Sequence, residues 1–145
     1  MFKSIVVGTD GSPTADRAVE AAANLARDFA AQLHVVTAYR EASGIGAASG
    51  AALAESGVGR ALQHDVARLT AEKAVATWAE GLDASVYATS ESAPNAILDT
   101  ARSVGADLIV VGSKGMQGAQ RILGSVPNTV AHGADCAVLI VKTDA

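Results

Sequence analysis

Short runs of aliphatic, mostly β-branched residues recur along this chain, and two of them stop at glycine and small polar residues before a helix-like stretch begins. Ile5-Val6-Val7 stops at Gly8-Thr9-Asp10-Gly11-Ser12, and Leu108-Ile109-Val110-Val111 stops at Gly112. Ala137-Val138-Leu139-Ile140-Val141 is a third such run. None of them alternates apolar with polar. Unalternating runs fit strands buried on both faces, as in a parallel sheet covered by helices. Between the first run and Leu33-His34-Val35-Val36-Thr37-Ala38-Tyr39 the spacing changes. Ala15, Ala18, Val19, Ala22, Ala26 and Phe29 recur at steps of three and four after Pro13, with Asp16, Arg17, Glu20, Asn24, Arg27 and Asp28 opposite. That is an amphipathic helix. Strand, helix, strand at this spacing predicts a right-handed βαβ unit.

The second half repeats the logic. Residues 41–60 are small and glycine-rich, and are expected to form a mobile surface loop. A helix is predicted from about Arg60 to Glu80, with Leu62, Val66 and Leu69 as its apolar stripe and Gly81 as its stop. Ala84-Ser85-Val86-Tyr87-Ala88 is a weaker strand. Pro94 suits the first turn of a further helix, whose Ile97, Leu98, Ala101 and Val104 turn inward and which Gly105 ends. Leu108 to Val111 is the most apolar run and is placed centrally. Ser125 is expected to cap a short last helix that stops near Gly133. The order predicts an α/β fold: one domain over residues 1–145, with a five-stranded parallel sheet and helices on both faces, doubly wound and Rossmann-like.

Composition removes several functions. A chain of 145 residues that is 50% apolar and 18% charged can bury a core without metal or disulfides. The net charge of −4 disfavours a phosphate-backbone binder, and two Phe, two Tyr and one Trp are too few for base-stacking platforms. No nucleic-acid partner is expected. One cysteine, Cys136, rules out an internal disulfide framework and a cysteine-based zinc site. No apolar run is long enough for a membrane span, and the stretch before Gly8 is too short for a signal peptide. The chain is expected to be cytoplasmic.

In doubly wound sheets, ligands sit at the carboxyl ends of the strands where strand order reverses. The loops after the first, second and fourth strands are therefore the candidates. The last of these reads Gly112-Ser113-Lys114-Gly115-Met116-Gln117-Gly118-Ala119-Gln120-Arg121-Ile122-Leu123-Gly124-Ser125-Val126. Its glycines admit close approach of an anion to backbone N–H groups, a helix start follows Gly124, and Lys114 and Arg121 add two cations. It reads equally as a plain glycine-rich turn with a serine cap. It is neither a Walker A loop nor G-x-G-x-x-G. Asp10 closes the first strand and serves either a ligand, through a ribose hydroxyl, an adenine edge or a metal, or the structure, as a cap of the first helix or a brace of the turn. His34 reads as a packed core residue, and no histidine or acidic spacing suggests a metal site. Ser125 has no evident base partner, so no catalytic residue is assigned.

Taken together, Ile5 to Ser12, Gly112-Ser113-Lys114-Gly115, Gly124-Ser125-Val126-Pro127-Asn128 and Ala137 to Val141 resemble the universal stress protein family over essentially the whole chain, in its ATP-binding branch. The resemblance implies a nucleotide site. Asp10 would contact the nucleoside, with the backbone of Gly8 and Thr9 beside it, and Ala38 would hold adenine through its backbone. Gly112, Gly115, Gly124, Ser125 and Val126 would hold ribose and phosphates, with Ser113 and Lys114 in the same set. The family's ATP pattern has nine residues between its second and third glycines, whereas Met116 to Leu123 makes eight here. The implied ligand is ATP with Mg²⁺ on its phosphates, and cyclic AMP, which needs only one phosphate, is the alternative. The implied role is a stress-response sensor or regulator with at most slow ATP hydrolysis. The family also implies a homodimer through the last strand. A dimeric scaffold without nucleotide is a further alternative.

Overall fold

The computed structural model describes residues 1–39, 57–113 and 123–143. Among these, strands β1 (Ser4–Gly8), β2 (Gln32–Ala38), β3 (Ala84–Thr89), β4 (Leu108–Gly112) and β5 (Ala137–Val141) alternate with helices α1 (Pro13–Phe29), α2 (Gly57–Trp78), α3 (Ala93–Val104) and α4 (Ser125–Gly133). All pairings are parallel. The sheet order is β3-β2-β1-β4-β5. The chain steps outward from β1 to β3, then returns past β1 to β4. Strand order therefore reverses between β1 and β4.

Alternate strand residues feed two cores. Ile5, Val7, Leu33, Val35, Leu108 and Val110 pack with α1 and α2 on one face. Val6, Val36, Ile109 and Val111 pack with α3 and α4 on the other. Both faces of β1, β2 and β4 are thus covered, which is why these strands are apolar throughout. The middle strand is β1; β4, expected at the centre, is its neighbour.

Helix α1 opens as its sequence suggests. The Ser12 hydroxyl accepts Ala15 N–H at 3.2 Å and Pro13 follows in the first turn. Helix α2 departs from expectation at both its start and its face. It begins at Gly57, inside the segment expected as loop; residues 40–56 lie outside the described residues. Its buried residues are Gly59, Ala67, Ala71 and Ala74. The expected stripe of Leu62, Val66 and Leu69 is instead 59%, 63% and 62% exposed. Small side chains let this helix lie close on β2 and β3.

Helix α4 starts at Ser125 with Gly124 as its N-cap, and no side chain caps it. Ser125, expected as the cap, is the first residue of the helix and its hydroxyl is not engaged there. Strand β5 lies at one edge of the sheet, with Leu139 and Ile140 exposed.

Candidate functional site

A cleft of about 390 Å³ opens at the carboxyl ends of β1, β2 and β4. It lies where strand order reverses, as expected of a doubly wound sheet. Gly8, Thr9, Asp10, Ala38, Gly112, Gly124, Ser125 and Val126 all line it. These residues come from three separate strand ends and one helix start. Lys114, Gly115 and Arg121 lie outside the described residues.

The turn after β1 is fixed by its own side chains. Asp10 Oδ1 accepts Ser12 N–H at 2.9 Å, and Thr9 Oγ1 accepts Gly11 N–H at 3.1 Å. Gly11 has φ +79°, which glycine adopts without strain. Asp10 thus shapes the turn and also lines the cleft; the two readings of this residue do not exclude each other. Gly8 packs closely on Ile97: a Cβ there would lie 2.6 Å from Ile97 Cδ1, so that side chain would have to shift. Ile97 forms part of the cleft wall.

Ala38 turns a backbone pair toward the cleft. In a parallel ladder, alternate residues turn both N–H and C=O to the same neighbouring strand. Thr9 N–H donates to Val36 O at 2.9 Å, so Val36 faces β1. Tyr39 N–H donates to Thr89 O at 2.9 Å, so Tyr39 faces β3. Ala38 therefore turns its N–H and C=O to the β1 side. There β1 has ended at Gly8 and the chain has turned away. No described backbone group pairs with them.

Across the cleft, α4 presents its first turn. The first N–H groups of a helix have no intrahelical acceptor. Here these are the N–H groups of Ser125 and Val126; Pro127 has none. The Ser125 hydroxyl adds a further polar group, and the helix start carries partial positive charge.

Ser113 is the expected site residue that the cleft does not use. It is 3% exposed and absent from the lining. Its N–H donates to Val141 O at 2.9 Å, and its hydroxyl accepts Thr143 N–H at 3.1 Å. Its side chain serves the end of β5.

Sequence reasoning missed the walls that the helices supply. Thr14, Ala15 and Ala18 of α1 and Ala93, Ala96 and Ile97 of α3 line the cleft. Inward-facing helical spacing marked Ile97 as buried, but nothing local placed it at the strand ends.

Asp10 is the one ionisable group among the described lining residues. Other titratable groups lie elsewhere. His34 is buried, with Nδ1 3.1 Å from the Tyr87 hydroxyl and Nε2 without a partner. Burial lowers its pKa, opposed by Asp83. A second cavity of about 260 Å³ holds Cys136 beside Arg102. Burial raises the Cys136 pKa, with Asp107 and Asp135 adding to it, so the thiol stays protonated. Arg102 is occupied by Asp135, Asp99 and Gly133 O. No group of three or more His, Cys, Asp or Glu side chains among the described residues is placed to hold a metal.

Fold and cleft together define a doubly wound α/β domain with a pocket at its switch point, lined by strand-end glycines, small residues of two helices and the start of a third. The chain belongs to the universal stress protein family, whose model, described as "Universal stress protein family", matches residues 1–142. It is 37% identical to universal stress protein A homolog 2 of Coxiella burnetii, over 97% of this chain and 95% of that protein. It is 34% identical to universal stress protein YxiE of Bacillus subtilis, over 98% of this chain and all of the relative. A universal stress protein solved in complex with cAMP aligns at TM-score 0.71 and 33% identity, covering 99% of this chain and 98% of that one. Universal stress protein UspA from Lactobacillus plantarum shares the fold at TM-score 0.68 and 24% identity, covering 96% and 97% of the two chains.

Proposed function

We propose that the cleft binds an adenine nucleotide and that the protein acts as a stress-response sensor or regulator rather than as a fast enzyme. The observation that carries this is that Ala38 turns its N–H and C=O away from β3, toward a cleft whose other wall is the start of α4. Adenine presents an acceptor, N1, beside a donor, N6, and this backbone pair matches them. The distal phosphates then fall toward Gly124, Ser125 and Val126, where backbone donors and a helix start favour anions. Gly112 and Gly115 give the backbone room, Lys114 adds charge, and Asp10, with the backbone of Gly8 and Thr9, takes the nucleoside hydroxyls. Mg²⁺, when present, is held by the phosphates, since the described residues supply no ligand cluster for it.

Hydrolysis is expected to be slow. Fast phosphoryl transfer needs a group that orients or activates water. Asp10 is the sole described candidate in the lining, and it is already committed to the Ser12 amide.

ATP is the leading ligand. Cyclic AMP is the second reading, favoured by the 33% identical relative solved with cAMP and by the eight residues between Gly115 and Gly124. The test is the nucleotide released when freshly purified protein is denatured, followed by calorimetry with ATP and with cAMP. Neither release nor binding would leave a scaffold and overturn the proposal.

We further propose a homodimer through β5. This strand is at the sheet edge and exposes Leu139 and Ile140. Uncovered edges pair unless something protects them, and a two-fold copy paired antiparallel closes this one. Light scattering on dilution tests it; a mass near 14.5 kDa at micromolar concentration would overturn it. The cytoplasm, where adenine nucleotides are abundant, is the compartment that suits this ligand. No described helix is long and apolar enough to cross a membrane.

A further inference from the structure

We infer that Thr143 is a positioning residue of the cleft: from beyond β5, it fixes Gly112 in the cleft wall without touching the ligand. The inference rests on the nucleotide reading above for its readout.

Ser113 and Thr143 lie just past the ends of β4 and β5. Ends of edge pairs ordinarily fray into solvent. Here both residues are buried, at 3% and 4% exposure, although β5 itself is exposed. The ladder is prolonged by Ser113 N–H donating to Val141 O at 2.9 Å. The next acceptor is a side chain: Thr143 N–H donates to Ser113 Oγ at 3.1 Å, and the two hydroxyls stand 3.4 Å apart. A side-chain hydroxyl therefore replaces the carbonyl that a longer strand would supply.

This clasp places the Thr143 methyl against Gly112. A Cβ on Gly112 would lie 2.8 Å from Thr143 Cγ2 and 3.8 Å from Thr14 O. The end of β4, the second residue after β5 and the start of α1 thus meet at one point. Gly112 and Thr14 both line the cleft, whereas Thr143 does not. The position of Gly112 is set from behind by Thr143. Close packing transmits such a displacement because protein interiors have few voids to absorb it.

Two variants separate the parts. Thr143→Ala removes the methyl that backs Gly112. Thr143→Val keeps that methyl and the backbone N–H, and loses only the hydroxyl. Both are measured for affinity by calorimetry, with whichever of ATP or cAMP the unmodified protein binds, and for melting temperature. Thr143→Ala is expected to weaken binding about tenfold with little change in melting temperature, on the scale of one misplaced hydrogen bond. Thr143→Val keeps the Cγ2 methyl against Gly112 and the N–H on Ser113 Oγ and loses only the long 3.4 Å hydroxyl contact, so it is expected to retain affinity within about threefold. Should Thr143→Ala fail to fold, Ser113→Ala, which removes the acceptor for Thr143 N–H, is expected to weaken binding about fivefold. Unchanged affinity in the folded variants would overturn the inference and leave the nucleotide reading standing. So would a loss of affinity that follows a large fall in melting temperature and that valine does not rescue. Absence of binding by the unmodified protein would overturn the nucleotide reading, and this inference with it.

Discussion

At the amino ends of the strands, side chains close the sheet. The Asp107 carboxylate accepts Lys3 N–H at 2.9 Å and Ser4 N–H at 3.1 Å, while Asp107 N–H returns to Ser4 O at 3.0 Å. Gln32 N–H donates to Lys3 O, Leu33 N–H donates to Asp83 O, and Gln32 Nε2 reaches Asp83 at 3.0 Å. At the carboxyl ends side chains close the turn after β1 and the end of β5, but the wall facing the cleft is different. Ala38 turns N–H and C=O into the cleft, and α4 begins without a side-chain cap. Same strands, same ladders, two different terminations. Orphan backbone groups are costly when buried, so an end that leaves them open to a cleft gives up stability and gains binding capacity. Substitutions at the two ends should therefore separate stability from binding.

The sharpest test is Gly124→Val, which puts a branched side chain at the cap of α4. Binding is expected to fall more than about 100-fold, or roughly 2.7 kcal/mol, while the fold persists; calorimetry and a melting curve read the two. Retained affinity in folded protein would take α4 out of the site. At the other end, Asp107→Ala should cost about 2 kcal/mol of stability by urea unfolding, because two amides lose their acceptor. Nucleotide affinity should stay within about twofold. A loss of affinity there would break the division between the ends.

Asp10 tests the boundary between the two roles. Asp10→Asn keeps an acceptor for Ser12 N–H but removes the charge. If Asp10 takes a nucleoside hydroxyl, affinity should drop about tenfold, or 1.4 kcal/mol, with unchanged melting. Unchanged affinity would assign Asp10 to the turn alone. The smallest effect is expected far from both ends. Leu62→Ser on the exposed face of α2 should change stability by less than about 0.5 kcal/mol. A loss of several kcal/mol would show that this face is covered in solution.

That last residue also marks where sequence reading stopped. In α1 the expected stripe is buried at Ala18, Val19, Ala22 and Ala26, with Ala23 beside them, while Phe29 at the helix end is 37% exposed. Helix α2 has two arcs, one of alanines and one of larger aliphatics. Local hydrophobicity favours the larger side chains for the core. The structure buries Gly59, Ala67, Ala71 and Ala74 instead. Ser113 is a similar case: the Gly112-Ser113-Lys114-Gly115 pattern placed it with the ligand, and its contacts with Val141 and Thr143 turned it away.

The sequence by itself determined the alternation of strands and helices, the parallel sheet, the family and the cluster of glycines at the strand ends. Each of these is written in local chemistry: β-branched runs, helical spacing, and glycine where a side chain would collide. The tertiary structure alone decided strand order, the face that α2 buries, the backbone pair that Ala38 turns to the cleft and the clasp between Ser113 and Thr143. Those depend on which segments, distant in sequence, come within van der Waals or hydrogen-bond distance. Ser113 and Thr143 are 30 residues apart, and no local pattern encodes that their hydroxyls meet.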